Sequence, residues 1–321
     1  MRATILVAAL SLATPLVASD FLMELPVDCR LGDTCYIQQY MDRDPGPGAR
    51  DFACGTLSYD GHKGTDFALP TLADMTRGVD VLAVAPGRVQ AARDNMADVL
   101  YSAENAANTK GRECGNGIVL KHQGGFETQY CHLRQGSVTV QSGDVVAAGD
   151  VLGQIGLSGK TQFPHLHLSV RRDGVEIDPF DPEMRNSCST DVPDLWADPA
   201  PDYLPGGLID VGLSDTVPEY DAIKAGTAAV DTLPPDAPAL VIFGFAFGAQ
   251  DGDTMRLEIV GPNGPVIQRE IEFGKNQAQL FRAIGKRRSE TPWPSGQYLG
   301  RVELWRGLEL LDKNALAITI E

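Results

Sequence analysis

Histidine is scarce in this chain: 321 residues contain five, His62, His122, His132, His165 and His167, all inside the first of two β-rich stretches. Three of the segments that hold them could do chemistry. In Phe163-Pro164-His165-Leu166-His167-Leu168-Ser169-Val170, a strand sends residues two apart to one face. His165 and His167 then project together while Leu166 and Leu168 enter the opposite layer. In Gly61-His62-Lys63-Gly64-Thr65-Asp66-Phe67-Ala68, the His-to-Asp spacing would suit one face of a helix. Gly61 and Gly64 disfavour a helix, however, and Thr65-Asp66-Phe67 reads as β. The segment is therefore a Gly-rich loop delivering His62 into a strand delivering Asp66, unlike the helical H-E-x-x-H arrangement of zincins. In Thr128-Gln129-Tyr130-Cys131-His132-Leu133, alternation puts Tyr130 and His132 on one face and aims Cys131 away from them.

Each segment alone has a plainer reading, as a polar outer strand face or an exposed turn. Together they supply two histidines and a carboxylate for a divalent ion, with two further histidines nearby. Three protein ligands and one open position is the catalytic zinc pattern. Coordination brings the pKa of water to ~7, and attack on an amide then needs a proton acceptor and a stabiliser for the tetrahedral oxyanion. Histidines that do not bind metal suit both duties. Two histidines and a carboxylate also form the facial triad of non-haem iron oxygenases, but the two extra histidines favour hydrolysis.

The elements that must position these residues are short strands broken by glycine, from about Phe52 to Pro182. Val79–Val84 precedes Pro86-Gly87, and Arg88–Ala92 follows it. Ile118–His122 and Phe126–His132 flank Gln123-Gly124-Gly125. Val145–Ala148 and Val151–Ile155 flank Gly149-Asp150, and Leu166–Arg171 and Val175–Ile177 flank Asp173-Gly174, a hairpin signal. Such spacing predicts a compact, mainly antiparallel β fold. Asp94 to Thr109, a run of Ala and Asn with Glu and Met and no β alternation, breaks the rhythm and reads as a helical insertion able to wall a groove. Residues 190–236 are Pro- and Asp-rich linker text, although Leu208–Leu213 is apolar enough to pack. From residue 237 a second β pattern runs through Leu240–Phe247, Met255–Val260, Val266–Phe273, Tyr298–Trp305 and Ala315–Ile320, and resembles a small sandwich without histidine.

A formal net charge of -16 excludes a nucleic-acid or anionic-membrane surface as the main partner. Arg2, the apolar run Ala3 to Leu16 and the small residues Val17-Ala18-Ser19 read as a cleaved export signal, too short to span a bilayer. Export makes the even cysteine set a disulfide framework. Six cysteines allow 15 pairings, of which Cys29–Cys35 as a short loop, Cys114–Cys131 across a hairpin base and the remaining Cys54–Cys188 are the simplest.

The ordered segments His62-Lys63-Gly64-Thr65-Asp66, Tyr130-Cys131-His132-Leu133 and Pro164-His165-Leu166-His167 resemble the pattern of lysostaphin-type (LytM-like) zinc endopeptidases of bacterial cell walls. Their frame fits as well: Ala85-Pro86-Gly87-Arg88-Val89, Gly143 to Gly149, and Ile177-Asp178-Pro179. The resemblance implies that His62, Asp66 and His167 ligate Zn2+, that His132 and His165 serve as base and transition-state stabilisers, and that His122 has no part. It also implies an antiparallel sheet under a groove, and a peptide of peptidoglycan as substrate. The longer insertion at Asp94–Thr109, and Lys160-Thr161-Gln162-Phe163 where small residues often precede Pro-His, depart from the family beside the groove. The expected layout is a signal peptide (1–19), an N-terminal arm over the surface (20–54), a zinc peptidase domain (55–189), a linker (190–236) and a β-sandwich-like domain (237–321). The expected product is a periplasmic or secreted monomer with no membrane span once the signal is removed. The rival expectation is a catalytically inactive regulator of a wall amidase, but such proteins typically lose ligand residues and all five positions are filled here.

Overall fold

Two sheet systems organise the chain in the computed structural model, which describes residues 21–197 and 199–321. The expected signal peptide lies outside the described residues. The first system contains β1 (Tyr36–Gln39), β2 (Thr65–Ala68), the helix α1 (Leu72–Arg77), β3 (Asp80–Leu82), β4 (Gly87–Arg93), the single turn α2 (Ala106–Thr109), β5 (Asn116–Lys121), β6 (Phe126–Leu133), β7 (Val145–Val146), β8 (Val151–Gln154), β9 (His165–Arg172) and β10 (Val175–Ile177). One sheet runs β1-β2-β9-β6-β5-β4-β7 with β10 added at β9, and β3 pairs with β8. Every pairing in it is antiparallel. The β9–β10 hairpin turns on Asp173-Gly174, with φ of 52° and 83°, as a two-residue primed turn requires. One face of the sheet is the core, where Phe67, Leu120, Tyr130, Leu166 and Leu168 are fully buried.

Two expectations fail here for physical reasons. The N-terminal arm does not run over the surface. Its strand β1 forms the edge of the sheet beside β2, and Met23, Tyr40 and Phe52 are core residues. Gln38 and Gln39 interrupt its apolar run and disguise it. The insertion is not helical beyond Ala106–Thr109. Its aspartates capture backbone N–H groups of neighbouring segments, a common competitor of helix. Asp94 accepts from Gly136 and Val138, and Asp98 from Gln135 and Leu157.

The second system contains β11 (Gly207–Ser214), the helix α3 (Tyr220–Ala225), β12 (Thr232–Leu233), β13 (Ala239–Ala249), β14 (Thr254–Gly261), β15 (Gly264–Glu272), β16 (Gln277–Arg287), β17 (Gly296–Arg306) and β18 (Glu309–Ile320). Sheet β11-β13-β16 packs on sheet β12-β18-β17-β14-β15 through Ile242, Met255, Leu257, Val302 and Ile318. Thus β11, over the apolar stretch Leu208–Leu213 expected to pack, and α3 are ordered elements within residues 190–236, where the Pro-rich flanks had suggested a linker. Strand β13 is buried on both faces. Leu240, Ile242 and Ala246 face the sandwich interior, while Phe243, Phe245 and Phe247 join the core of the first system. Tyr36 and Phe247 meet with ring centroids 4.7 Å apart. The three disulfides are Cys29–Cys35, Cys54–Cys188 and Cys114–Cys131, the expected set.

Candidate metal centre and active site

Strand pairing builds the centre. Asp66 on β2 lies opposite His167 on β9, and Ala68 lies opposite His165, so both histidines and the carboxylate share the face away from the core. His62 comes from the loop before β2. Its Nδ1 donates to the Tyr40 carbonyl at 2.6 Å, which leaves Nε2 as the lone-pair nitrogen. Gly64 lets the parts close up, because a Cβ there would lie 2.5 Å from the Leu168 carbonyl oxygen and 2.8 Å from the His167 ring.

His132 reaches the centre by breaking strand alternation. Tyr130 points into the core, where its Oη accepts from the Val84 N–H at 3.0 Å. By parity His132 would follow it. Instead His132 has φ of 65°, a left-handed conformation uncommon outside glycine, and its ring sits 4.7 Å from that of His165 and 6.1 Å from that of His167. Cys131, opposite His167, is held by its disulfide to Cys114. The shared face expected for Tyr130 and His132 is therefore corrected by one backbone torsion.

A carbonyl can only accept, so carbonyl partners fix the ring tautomers. His132 Nδ1 donates to Ser158 O at 2.8 Å and His165 Nδ1 to Phe163 O at 3.0 Å. His167 Nε2 is 3.0 Å from Ser169 Oγ. These partners orient the rings as outer-shell groups do around metals. Sequence reasoning missed all of them. Ser169 alone left a signal, since a residue two after His167 on a strand shares its face.

The inward atoms converge on Asp66 Oδ1, which is 2.8 Å from His167 Nδ1 and 3.2 Å from His62 Nε2. Those two nitrogens are 3.1 Å apart, and His165 Nε2 is 3.5 Å from the same oxygen. His62, Asp66 and His167 form a group able to hold a cation. A tetrahedral ion with bonds of ~2.0–2.1 Å sets its ligand atoms ~3.3 Å apart, so the donor set fits with little movement. Three acceptor atoms crowded together repel one another until a cation or proton arrives. His122 lies elsewhere, held between Pro86 O and Thr128 Oγ1, both at 2.8 Å.

Charge follows the same plan. Burial opposes ionisation of Asp66, but His62, His165 and His167 outweigh it and hold the carboxyl well below its usual range. Burial likewise disfavours a charged His62, yet Asp66 lifts its pKa above the ordinary imidazole value. Burial, reinforced by neighbouring histidines, pushes His132 well down, and burial lowers His165. Both are therefore neutral near pH 7, with a lone pair available on Nε2. His167 is the most open of the group, its side chain 16% exposed against 4% for Asp66.

Residues 60–179 match the model of Peptidase family M23. The chain is 36% identical over 83 residues to a DD-carboxypeptidase/endopeptidase, Mpg, of Neisseria meningitidis serogroup B, covering 25% of this chain and 19% of that protein. It is 29% identical over 109 residues to the peptidoglycan DD-endopeptidase ShyB of Vibrio cholerae, covering 34% of this chain and 20% of that one. The chain thus spans about a fifth of the length of these curated relatives. Among solved structures, the catalytic domain of lysostaphin from Staphylococcus simulans is 25% identical, with a TM-score of 0.26 over 37% of this chain and 76% of that domain. Residues 60–179, which hold all four histidines of the centre, are thus similar to Peptidase family M23.

Proposed function

We propose that the protein is an exported zinc metalloendopeptidase that hydrolyses peptide bonds in peptidoglycan cross-links or stems. The observation that carries this reading is the set of three histidines around a single Asp66 oxygen, with His132 beside His165, each ring anchored through one nitrogen. His62 Nε2, Asp66 Oδ1 and His167 Nδ1 would hold the metal. Zinc bound there would supply a Lewis acid and lower the pKa of water to ~7. His132 and His165, neutral and outside the ligand set, take the proton duties. One accepts a proton through its free Nε2 as the nucleophile attacks, and the other hydrogen-bonds the developing oxyanion when protonated. Ser158 O and Phe163 O hold these rings in position throughout.

The substrate class is supported by relatives named as peptidoglycan endopeptidases. Export is supported by the apolar segment 3–16 and by three disulfides, which persist in oxidising compartments. Among the described residues no helix is long and apolar enough to cross a membrane. The test is to incubate zinc-loaded chain lacking residues 1–19 with defined cross-linked muropeptides and to identify the fragments by mass spectrometry. One bond cleaved, with loss of cleavage on chelation, is the expected result. Intact muropeptides with a fully loaded metal site would reject the enzyme and favour a binding role.

A further inference from the structure

A groove of about 530 Å³ lies where the two sheet systems meet. Gln39 and Phe163 come from the first system, Tyr220, Lys224 and Gln279 from the second, and Tyr101 from the insertion. It adjoins the metal centre at two points. Gln39 is the cross-strand partner of Asp66, and the Phe163 ring stacks on His165 at 4.3 Å. The walls are fixed to each other, since Gln279 Nε2 donates to Tyr36 Oη at 3.1 Å and to Gln38 Oε1 at 2.9 Å.

Three features describe what would enter. The groove is amide-rich: five of its eleven lining residues are glutamines, which suits the alternating donors and acceptors of a peptide backbone. The Gln39 side chain is 7% exposed, and its Oε1 has no hydrogen-bond partner, an unfavourable state that an incoming N–H would relieve. Lys224 is the one charged lining residue among the described residues, with no carboxylate beside it in the wall, although the chain carries a net charge of -16. Its Nζ pairs at 2.9 Å with Asp221, whose side chain is 92% exposed. So exposed a pair is weak and readily exchanged. Next to Lys224 and Phe163 opens an apolar pit of about 20 Å³ between Leu69, Leu100 and Phe245, room for a methyl-sized group.

We infer that this groove is a substrate cleft leading to the metal centre, and that it selects an extended peptide with a free carboxylate, paired by Lys224, and a small aliphatic side chain, seated in the pit. The inference rests on the peptidase reading. The second sheet system is then a specificity wall for the reaction.

The experiment compares fluorescent tetrapeptides that differ only in a free or amidated C-terminal carboxylate, on the zinc-loaded chain, by fluorescence anisotropy and by kcat/KM where cleavage occurs. The expected preference for the acid is about threefold to fivefold, as for a partly exposed ion pair. It should fall towards one in Lys224→Met and return in Lys224→Arg. Asp221→Asn, which removes the competing carboxylate, should raise it. Binding is read independently of turnover, so a Lys224-dependent preference without cleavage supports the cleft while rejecting the peptidase. An equal response to acid and amide in both the parent and Lys224→Met overturns the inference.

Discussion

Nε2 of His62 lies 3.1 Å from Nδ1 of His167, although 105 positions separate them in the chain. While His62 keeps its Nδ1 proton on the Tyr40 carbonyl its Nε2 can only accept, so the two lone pairs cannot face each other bare. A proton or a metal must lie between them. The sign of the resulting pH dependence follows from His62. Burial alone would lower its pKa, but Asp66 raises it above the ordinary value. Zinc must displace that proton, so apparent affinity should fall as pH drops through the raised pKa, by up to ~10-fold per unit, and level off above it. The metal-free protein runs the other way. A raised histidine pKa contributes stability fully below ~6.5 that is lost as pH rises through the folded-state value. Zinc titrations and melting temperatures between about pH 6 and 8.5 should therefore diverge, and a flat zinc affinity over that range contradicts the assignment of His62.

On the proposed assignment, substitution of His132 should separate metal binding from catalysis. Its Nδ1 is committed to Ser158 O, and its ring stands beside His165 without belonging to the ligand group. His132→Ala should keep about one zinc per chain and lose ~10²–10⁴ in kcat, the usual worth of a positioned acid or base. His167→Ala should lose zinc and activity together. Metal analysis with single-turnover kinetics distinguishes the two, and a zinc-free His132→Ala would move His132 into the ligand set.

Gly64 tests how closely the loop must approach β9. A methyl group at this position meets the Leu168 carbonyl and the His167 ring at 2.5 and 2.8 Å, and neither is the end of a flexible side chain. Gly64→Ala should cost ~1–3 kcal/mol in stability, as overpacking does. It should also weaken zinc binding by displacing Nδ1 of His167. Denaturant melts and zinc competition report the two effects, and unchanged zinc affinity would show that the ring can move aside freely.

Much of this centre was legible as pattern. Strand parity at His165 and His167 placed both imidazoles opposite the buried Leu166 and Leu168, and glycines around His62 argued for a loop rather than a helix. Parity failed at His132, because the left-handed torsion there depends on distant contacts: its N–H donates to the Cys114 carbonyl at 2.8 Å. The carbonyls that orient the rings were invisible, since every residue has one and only the fold selects which is near. The same limit explains β16. Gln277 to Arg287 carries few apolar residues because it is an edge strand, and its Gln279 bonds to the first sheet system rather than to solvent. β1 was hidden by its own amide residues, and β11 showed only as the apolar stretch Leu208–Leu213 among proline-rich neighbours.

The double burial of β13 should make the two sheet systems one cooperative structure. Phe243, Phe245 and Phe247, each at most 2% exposed, lie in the core that also holds Phe67 and Leu166 beneath the metal centre. Fully burying one such ring contributes ~1.5–3 kcal/mol from area alone, and removing it leaves a cavity as well. Phe245→Ala should therefore cost ~3–5 kcal/mol, lower a single calorimetric transition and loosen zinc binding, although its ring is not a ligand. Two separated transitions, with only the second shifted by Phe245→Ala, would show instead that the halves fold independently. The groove of Lys224 and Gln279 would then lie between bodies free to move apart, and the preference for a free carboxylate should weaken with it.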